Sequence, residues 1–140
     1  MVERDYIMRL LQEFFTMLAK LLRLKVEEPD TTIVQERFNE MYRQFFRRTA
    51  DYFYEMEKEA ILDELESDEL SDTEQQAMIQ MLSELLYQDG LIKKDITEKL
   101  MLLEKALYLM SYLESHSKTF SWDRLQKMSD IDKILNEYKI

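Results

Sequence analysis

Nitrogen and sulfur ligands for a metal ion are scarce in this 140-residue chain, which has one histidine and no cysteine, whereas carboxylates are abundant, with 29 aspartates and glutamates. A di-iron carboxylate site in a helical protein needs Glu-x-x-His pairs on two helices. The single histidine, His116, has Leu113 three residues before it, so this site cannot form. We expect His116 at a helix end instead, facing the last carbonyl groups.

The acidic segment of residues 63–74 resembles a calcium-binding loop only at its ends, where Asp63 and Glu74 hold the first and twelfth positions. Leu65 holds the third position, which needs an oxygen ligand, and Asp68 the sixth, which needs glycine. One glycine in the whole chain also excludes glycine-rich phosphate loops and nucleophile elbows. We therefore expect a protein that is not an enzyme, with no catalytic residue, cofactor, metal ion or small-molecule substrate.

Three arginines lie among aromatic residues at 42–52 and are the best candidates for binding an anion or a nucleic acid: Arg43, Arg47 and Arg48. Pairing with Glu36 and Glu40 within one helix is the favoured interpretation. The formal net charge is −10, and the excess of acid lies in residues 49–140. Such a chain repels phosphate backbones, so nucleic-acid binding is not expected.

The helix predicted for residues 6–24 is apolar over about 260° of its circumference, because its six polar residues fall within about 100°. It must be covered on at least two sides. We expect it to be either the centre of a bundle or half of a self-association surface, the latter giving a homodimer. The candidate residues are Phe14, Phe15, Leu18 and Leu22. The alternative is a peripheral membrane protein whose helix 6–24 meets anionic headgroups through Arg9, Lys20 and Arg23.

One glycine, one proline and apolar residues at three-four spacing predict an all-α fold of about five antiparallel helices. These pack as a bundle or as a short solenoid of hairpins resembling tetratricopeptide repeats. Pro29 is expected to end the first helix, with Asp30 or Thr31 as the cap of the next one, and Gly90 is expected to end the third helix in the left-handed conformation. Ser71 with Glu74, Asp95, and either Ser121 or Thr119 are expected to cap the later helices.

The domain prediction is a single domain over residues 1–140, with a possible division into residues 1–62 and 71–140. The pattern leaves open whether residues 31–66 form one helix or two. Two interpretations stay open for the C-terminal hairpins: large amphipathic rings that complete the core, which is favoured, or a groove lined by these rings that binds a protein or peptide partner. Those rings belong to Tyr87, Tyr108, Tyr112 and Trp122, with Lys93, Lys94, Lys105 and Lys118 at the rim.

Residues 3–10, which read ERDYIMRL, resemble the start of an uncharacterised family of small bacterial helical proteins, a domain of unknown function. Residues 102–113 resemble the C-terminal hairpin of that family. The resemblance implies a bacterial, cytoplasmic origin, and it transfers no functional residue. The N-terminus also lacks an export signal, because acidic residues flank Arg4 and charges interrupt the apolar run.

Overall fold

The computed structural model describes residues 2–67, 69–118 and 120–138, and these form seven α-helices without a strand. The all-α class is confirmed, but the expected number of five helices is wrong, because residues 31–66 form three helices. The helices are α1 (Val2–Glu27), α2 (Thr31–Phe46), α3 (Ala50–Glu55), α4 (Lys58–Leu65), α5 (Asp72–Ile92), α6 (Ile96–His116) and α7 (Trp122–Glu137).

The two breaks within residues 31–66, one more than the alternatives from the sequence allowed, occur without glycine or proline. After α2, Arg47 takes the left-handed conformation with φ of 58° and donates its N–H to the Arg43 carbonyl. Thr49 and Glu57 then precede α3 and α4 in extended conformations, and neither side chain caps its helix. Because no local cap specifies these starts, packing of the buried side chains Phe53 and Ile61 positions the two short helices.

Capping residues begin the longer helices where the sequence predicts. Asp30 accepts the Thr32 N–H before α2. Ser71 and Glu74 form the reciprocal capping box at α5. Asp95 and Ser121 cap α6 and α7, and Thr119 lies outside the described residues.

Gly90 does not end α5, which corrects the expectation of a left-handed residue there. It lies inside the helix, fully surrounded, and α5 continues to Ile92. A Cβ at this position would lie 3.1 Å from Leu103 Cδ2 and 3.2 Å from Leu102 Cβ. The glycine therefore permits a close approach of α5 to α6 rather than a turn.

The centre of the fold is α5, which packs on α1, α2, α4 and α6. The arrangement is a bundle around α5, since a solenoid of stacked hairpins would place each helix against its neighbours in sequence. Of the two alternatives for α1, the central position in the bundle is not the one observed, because α1 packs mainly on α2 and α5. One continuous core includes side chains from α1 through α7, so the two possible halves of the chain share it.

Candidate functional site

The outward face of α1 carries an apolar row that the rest of the chain covers incompletely. Its buried face, which contacts α2 and α5, consists of Ile7, Phe14, Leu18 and Leu21. Beside that face runs a second row at spacings of three and four residues, which we call the α1 stripe: Met8, Leu11, Phe15, Ala19, Leu22 and Val26. Its side chains range from half-buried to exposed. Val26 is 86% exposed and Met8 49% exposed.

The α1 stripe has the spacing by which one helix packs lengthwise on another. The four candidates from the sequence divide between the two faces, since Phe14 and Leu18 are buried in the core whereas Phe15 and Leu22 belong to the stripe. Ala19, a small and exposed residue, lies near the middle of the stripe, where it would allow a partner helix to approach closely.

Charged residues flank the solvent side of the stripe. Arg9 and Glu27 are 18 residues apart, which is five helical turns, so both lie on one face of α1. Both side chains are exposed. In an antiparallel pair of α1 helices centred near residue 17, Arg9 of each copy would lie within about 3 Å, along the axis, of Glu27 in the other. The flank is therefore complementary to itself in the antiparallel orientation only.

The four aromatic residues of the predicted groove contact different parts of the molecule. Tyr87 is buried on α5, with Lys127 Nζ of α7 5.8 Å from its ring centre. Tyr108 is half-buried beside Lys58 of α4, at 5.7 Å. The structure thus brings these two rings against separate helices.

The remaining two rings lie near the C-terminal end of α6 and the start of α7. Tyr112 stacks on the His116 ring at 4.0 Å, and His116 Nδ1 donates to the Tyr112 carbonyl at 2.9 Å, so the helix-end position of the histidine is confirmed. Trp122 is 78% exposed and meets Phe120 edge to face. Of the expected lysine rim, Lys105 is buried and donates to the Tyr54 carbonyl.

A buried polar cluster, which the sequence reasoning missed, connects α2, α3 and α5. Asp89 of α5 has no exposed surface. Its Oδ2 accepts hydrogen bonds from the hydroxyl groups of Tyr42, at 2.8 Å, and Tyr54. Its Oδ1 lies 3.4 Å from both Lys93 Nζ and Gln35 Nε2, and Lys93 in turn donates to Gln35 Oε1 at 2.6 Å. The sequence signal was a carboxylate at position 89 in the apolar row of a central helix.

Every buried side-chain nitrogen and oxygen in the described part of the chain has a hydrogen-bond partner. Burial, together with the neighbouring Asp89 carboxylate, raises the pKa values of Tyr42 and Tyr54 far above the ordinary tyrosine value. Lys93 Nζ also lies 4.7 Å from the centre of the Tyr54 ring. The cluster therefore keeps both hydroxyls protonated and fixes the position of the lysine.

Lys93 lies at the edge of the cluster and also lines a cleft of about 490 Å³. The cleft opens where α1 ends, α2 begins and α5 turns into α6. Its lining residues are Lys25, Glu28, Thr31, Thr32, Val34, Gln35, Ile92, Lys93, Lys94 and Glu98.

No family model, curated protein or solved structure matches this chain. Within residues 2–67, 69–118 and 120–138, no three carboxylate or imidazole side chains are grouped so that they could hold a metal ion. The same ranges contain no helix with the length and apolar character needed to cross a bilayer.

Proposed function

We propose that this protein is a non-enzymatic interaction module that forms a homodimer through the α1 stripe. The observation that carries the proposal is the incompletely covered row from Met8 to Val26, which repeats at the spacing of a helix–helix interface. As part of the proposal, the resemblance of residues 3–10 supports a bacterial, cytoplasmic origin.

The second copy is the favoured occupant of the stripe because the flanking charges complement themselves. A two-fold axis near residue 17 places Met8 opposite Val26 and Phe15 opposite Ala19 of the other copy, so each large side chain faces a smaller one. The same axis brings Arg9 of each copy near Glu27 of the other copy. A parallel two-fold pairing would instead place this flank against the opposite flank of the other copy, so Arg9 and Glu27 would not meet.

A matched pair of substitutions tests the dimer. Ala19→Glu introduces a carboxylate into the middle of the stripe, whereas Ser129→Glu introduces one on α7, which does not pack on α1. Both positions are exposed, so neither change disturbs the core. We expect light scattering and sedimentation at micromolar concentrations to show a dimer for the parent and Ser129→Glu, and a monomer for Ala19→Glu. A monomeric parent at these concentrations would contradict the proposal.

Charge exchange tests the orientation. Arg9→Glu should weaken the dimer, since it places two glutamates near each other at both ends of the pair. Adding Glu27→Arg should restore it. Equal weakening by the single and the double variant would exclude the antiparallel arrangement.

The second candidate function is peripheral membrane binding through the same helix. The observation that favours it is the exposure of Met8 and Val26 beside Arg9 and Arg23, since apolar and basic groups together bind anionic interfaces. The net charge of −10 opposes it. Co-sedimentation of the parent with anionic vesicles at low salt, lost in Ala19→Glu, would support this function in place of the dimer.

A further inference from the structure

The cleft at the end of α1 contains a positive charge without a partner. Among the residues that the structure describes, Lys25 has neither a hydrogen bond nor an ion pair with a side chain or carbonyl group, although its side chain is partly buried. Burial and the nearby charge of Lys99 both lower the pKa of Lys25. An ammonium group in this position is stabilised by an anion.

The other groups around the cleft define the charge of such an anion. Three lysines and two glutamates line it, and Asp89 balances Lys93 at 3.4 Å, so the lining is close to neutral and does not favour a ligand with more than one negative charge. The Glu28 carboxylate accepts the Asp30 N–H at 3.1 Å and, among the described residues, forms no ion pair with Lys25.

The cleft is not uniformly polar. Val34 and Ile92 contribute apolar walls beside the methylene groups of the lysines. Its volume of about 490 Å³ lies in the range typical of small-molecule sites. A bare inorganic ion would leave these apolar walls unused.

We propose that the cleft binds a small organic monocarboxylate, with its carboxylate at Lys25 and Lys94 and its apolar part on Val34 and Ile92. Lys93, held by Gln35 and Asp89, is a positioning residue that fixes the inner wall. Lysines supply point charges without the geometry of a guanidinium fork, so they suit a carboxylate in more than one orientation. The inference does not depend on whether the chain dimerises.

Hexanoate is a suitable probe. Acetate, which lacks the long apolar part, and hexanol, which lacks the charge, are the matched comparison compounds. We expect amide chemical shifts in ¹H–¹⁵N spectra to change around the cleft with hexanoate. Acetate and hexanol should each bind more weakly by about tenfold or more. Inorganic phosphate that binds as tightly as hexanoate would overturn the assignment of an organic acid. So would the absence of shift changes with hexanoate up to about 10 mM.

The variants Lys25→Met and Lys94→Met keep the side-chain stems and remove one charge each. We expect each to weaken hexanoate binding by about tenfold. Lys133→Met, an exposed lysine on α7 that does not line the cleft, is the control and should bind as the parent does. Lys94 is exposed, so its variant remains informative if Lys25→Met unfolds. Equal affinity in all three variants would overturn the proposal.

A titration gives a readout that loss of structure would not imitate. Carboxylate binding stabilises the charged form of Lys25, so saturating hexanoate should raise the pKa of this group, and affinity should fall as the pH rises through it. Side-chain NMR of Lys25 with and without hexanoate measures this shift. An unchanged pKa would refute direct contact between the carboxylate and Lys25.

Discussion

Replacement of Asp89 by alanine tests whether the buried cluster stabilises the bundle. The change removes the acceptor of the Tyr42 and Tyr54 hydroxyls and leaves the nearly buried Lys93 ammonium without its carboxylate. Breaking one side of a buried ion pair typically costs about 3–5 kcal/mol, and we expect a loss of this size for Asp89→Ala. A domain with a typical unfolding free energy of about 5–15 kcal/mol would remain folded in most of this range.

A smaller change at the same site separates charge from hydrogen bonding. Asp89→Asn keeps an acceptor oxygen for both tyrosine hydroxyls but removes the negative charge beside Lys93 and places an amide NH₂ where Oδ1 faced Lys93 and Gln35. We expect a loss of about 1–3 kcal/mol, which is the cost of an incompletely satisfied buried group. The parent should be the most stable of the three proteins and Asp89→Ala the least stable, with Asp89→Asn between them.

Urea unfolding followed by circular dichroism measures these differences, with an unchanged m value as the condition for comparing midpoints. Asp132→Ala on α7 is the control, because that aspartate is exposed and should change stability by less than about 0.5 kcal/mol. If Asp89→Ala proves no less stable than this control, the cluster does not stabilise the fold and the reasoning fails.

Three further outcomes follow from the packing, the caps and the titrating groups. Gly90→Val should destabilise the protein by about 1–3 kcal/mol in urea, because its side chain would meet Leu103; equal or greater stability would show that α5 and α6 can separate. Ser71→Ala should cost about 1 kcal/mol through loss of the capping box, and an unchanged thermal midpoint would contradict this. Because the pKa values of Tyr42 and Tyr54 are raised in the folded state, the contribution of these two tyrosines to the free energy of unfolding is complete below about pH 10. Above that pH the free energy of unfolding should fall by up to about 2.7 kcal/mol per pH unit. Tyr42→Phe should halve that slope, and an unaltered slope in alkaline urea titrations would refute the assignment.

The starts of the long helices could be predicted because a capping residue acts within a few positions of the helix that it begins. Ser71, Asp95 and Ser121 cap α5, α6 and α7 as expected, since a short polar side chain before an apolar row specifies a helix start without help from the rest of the chain. The pattern allowed a break near residues 49–51 without deciding it, and α3 does begin after Thr49, although the threonine side chain makes no capping bond. The break before α4 was not predicted, because Glu57 carries no capping signal.

Residues distant in sequence determined what could not be predicted about the site. The sequence predicted that Gly90 ends a helix, whereas this glycine allows α5 to pack closely on Leu102 and Leu103 of α6. Asp89 finds its partners 35 and 47 residues away, at Tyr54 and Tyr42. The two members of such a pair are too far apart in sequence to fall within one local pattern, so periodicity alone could not predict that they are in contact.

The close approach of α5 and α6 at Gly90 has a consequence for how the chain acquires its structure. These two helices are joined by the short turn at residues 93–95, so their extensive contact closes a small loop at little entropic cost. This hairpin can therefore form early and present the surface on which the N-terminal helices assemble. In contrast, α7 packs mainly on α6, at the margin of the bundle. Its amide hydrogens should exchange with solvent through local opening, while those in the middle of α5 exchange only when the whole molecule unfolds.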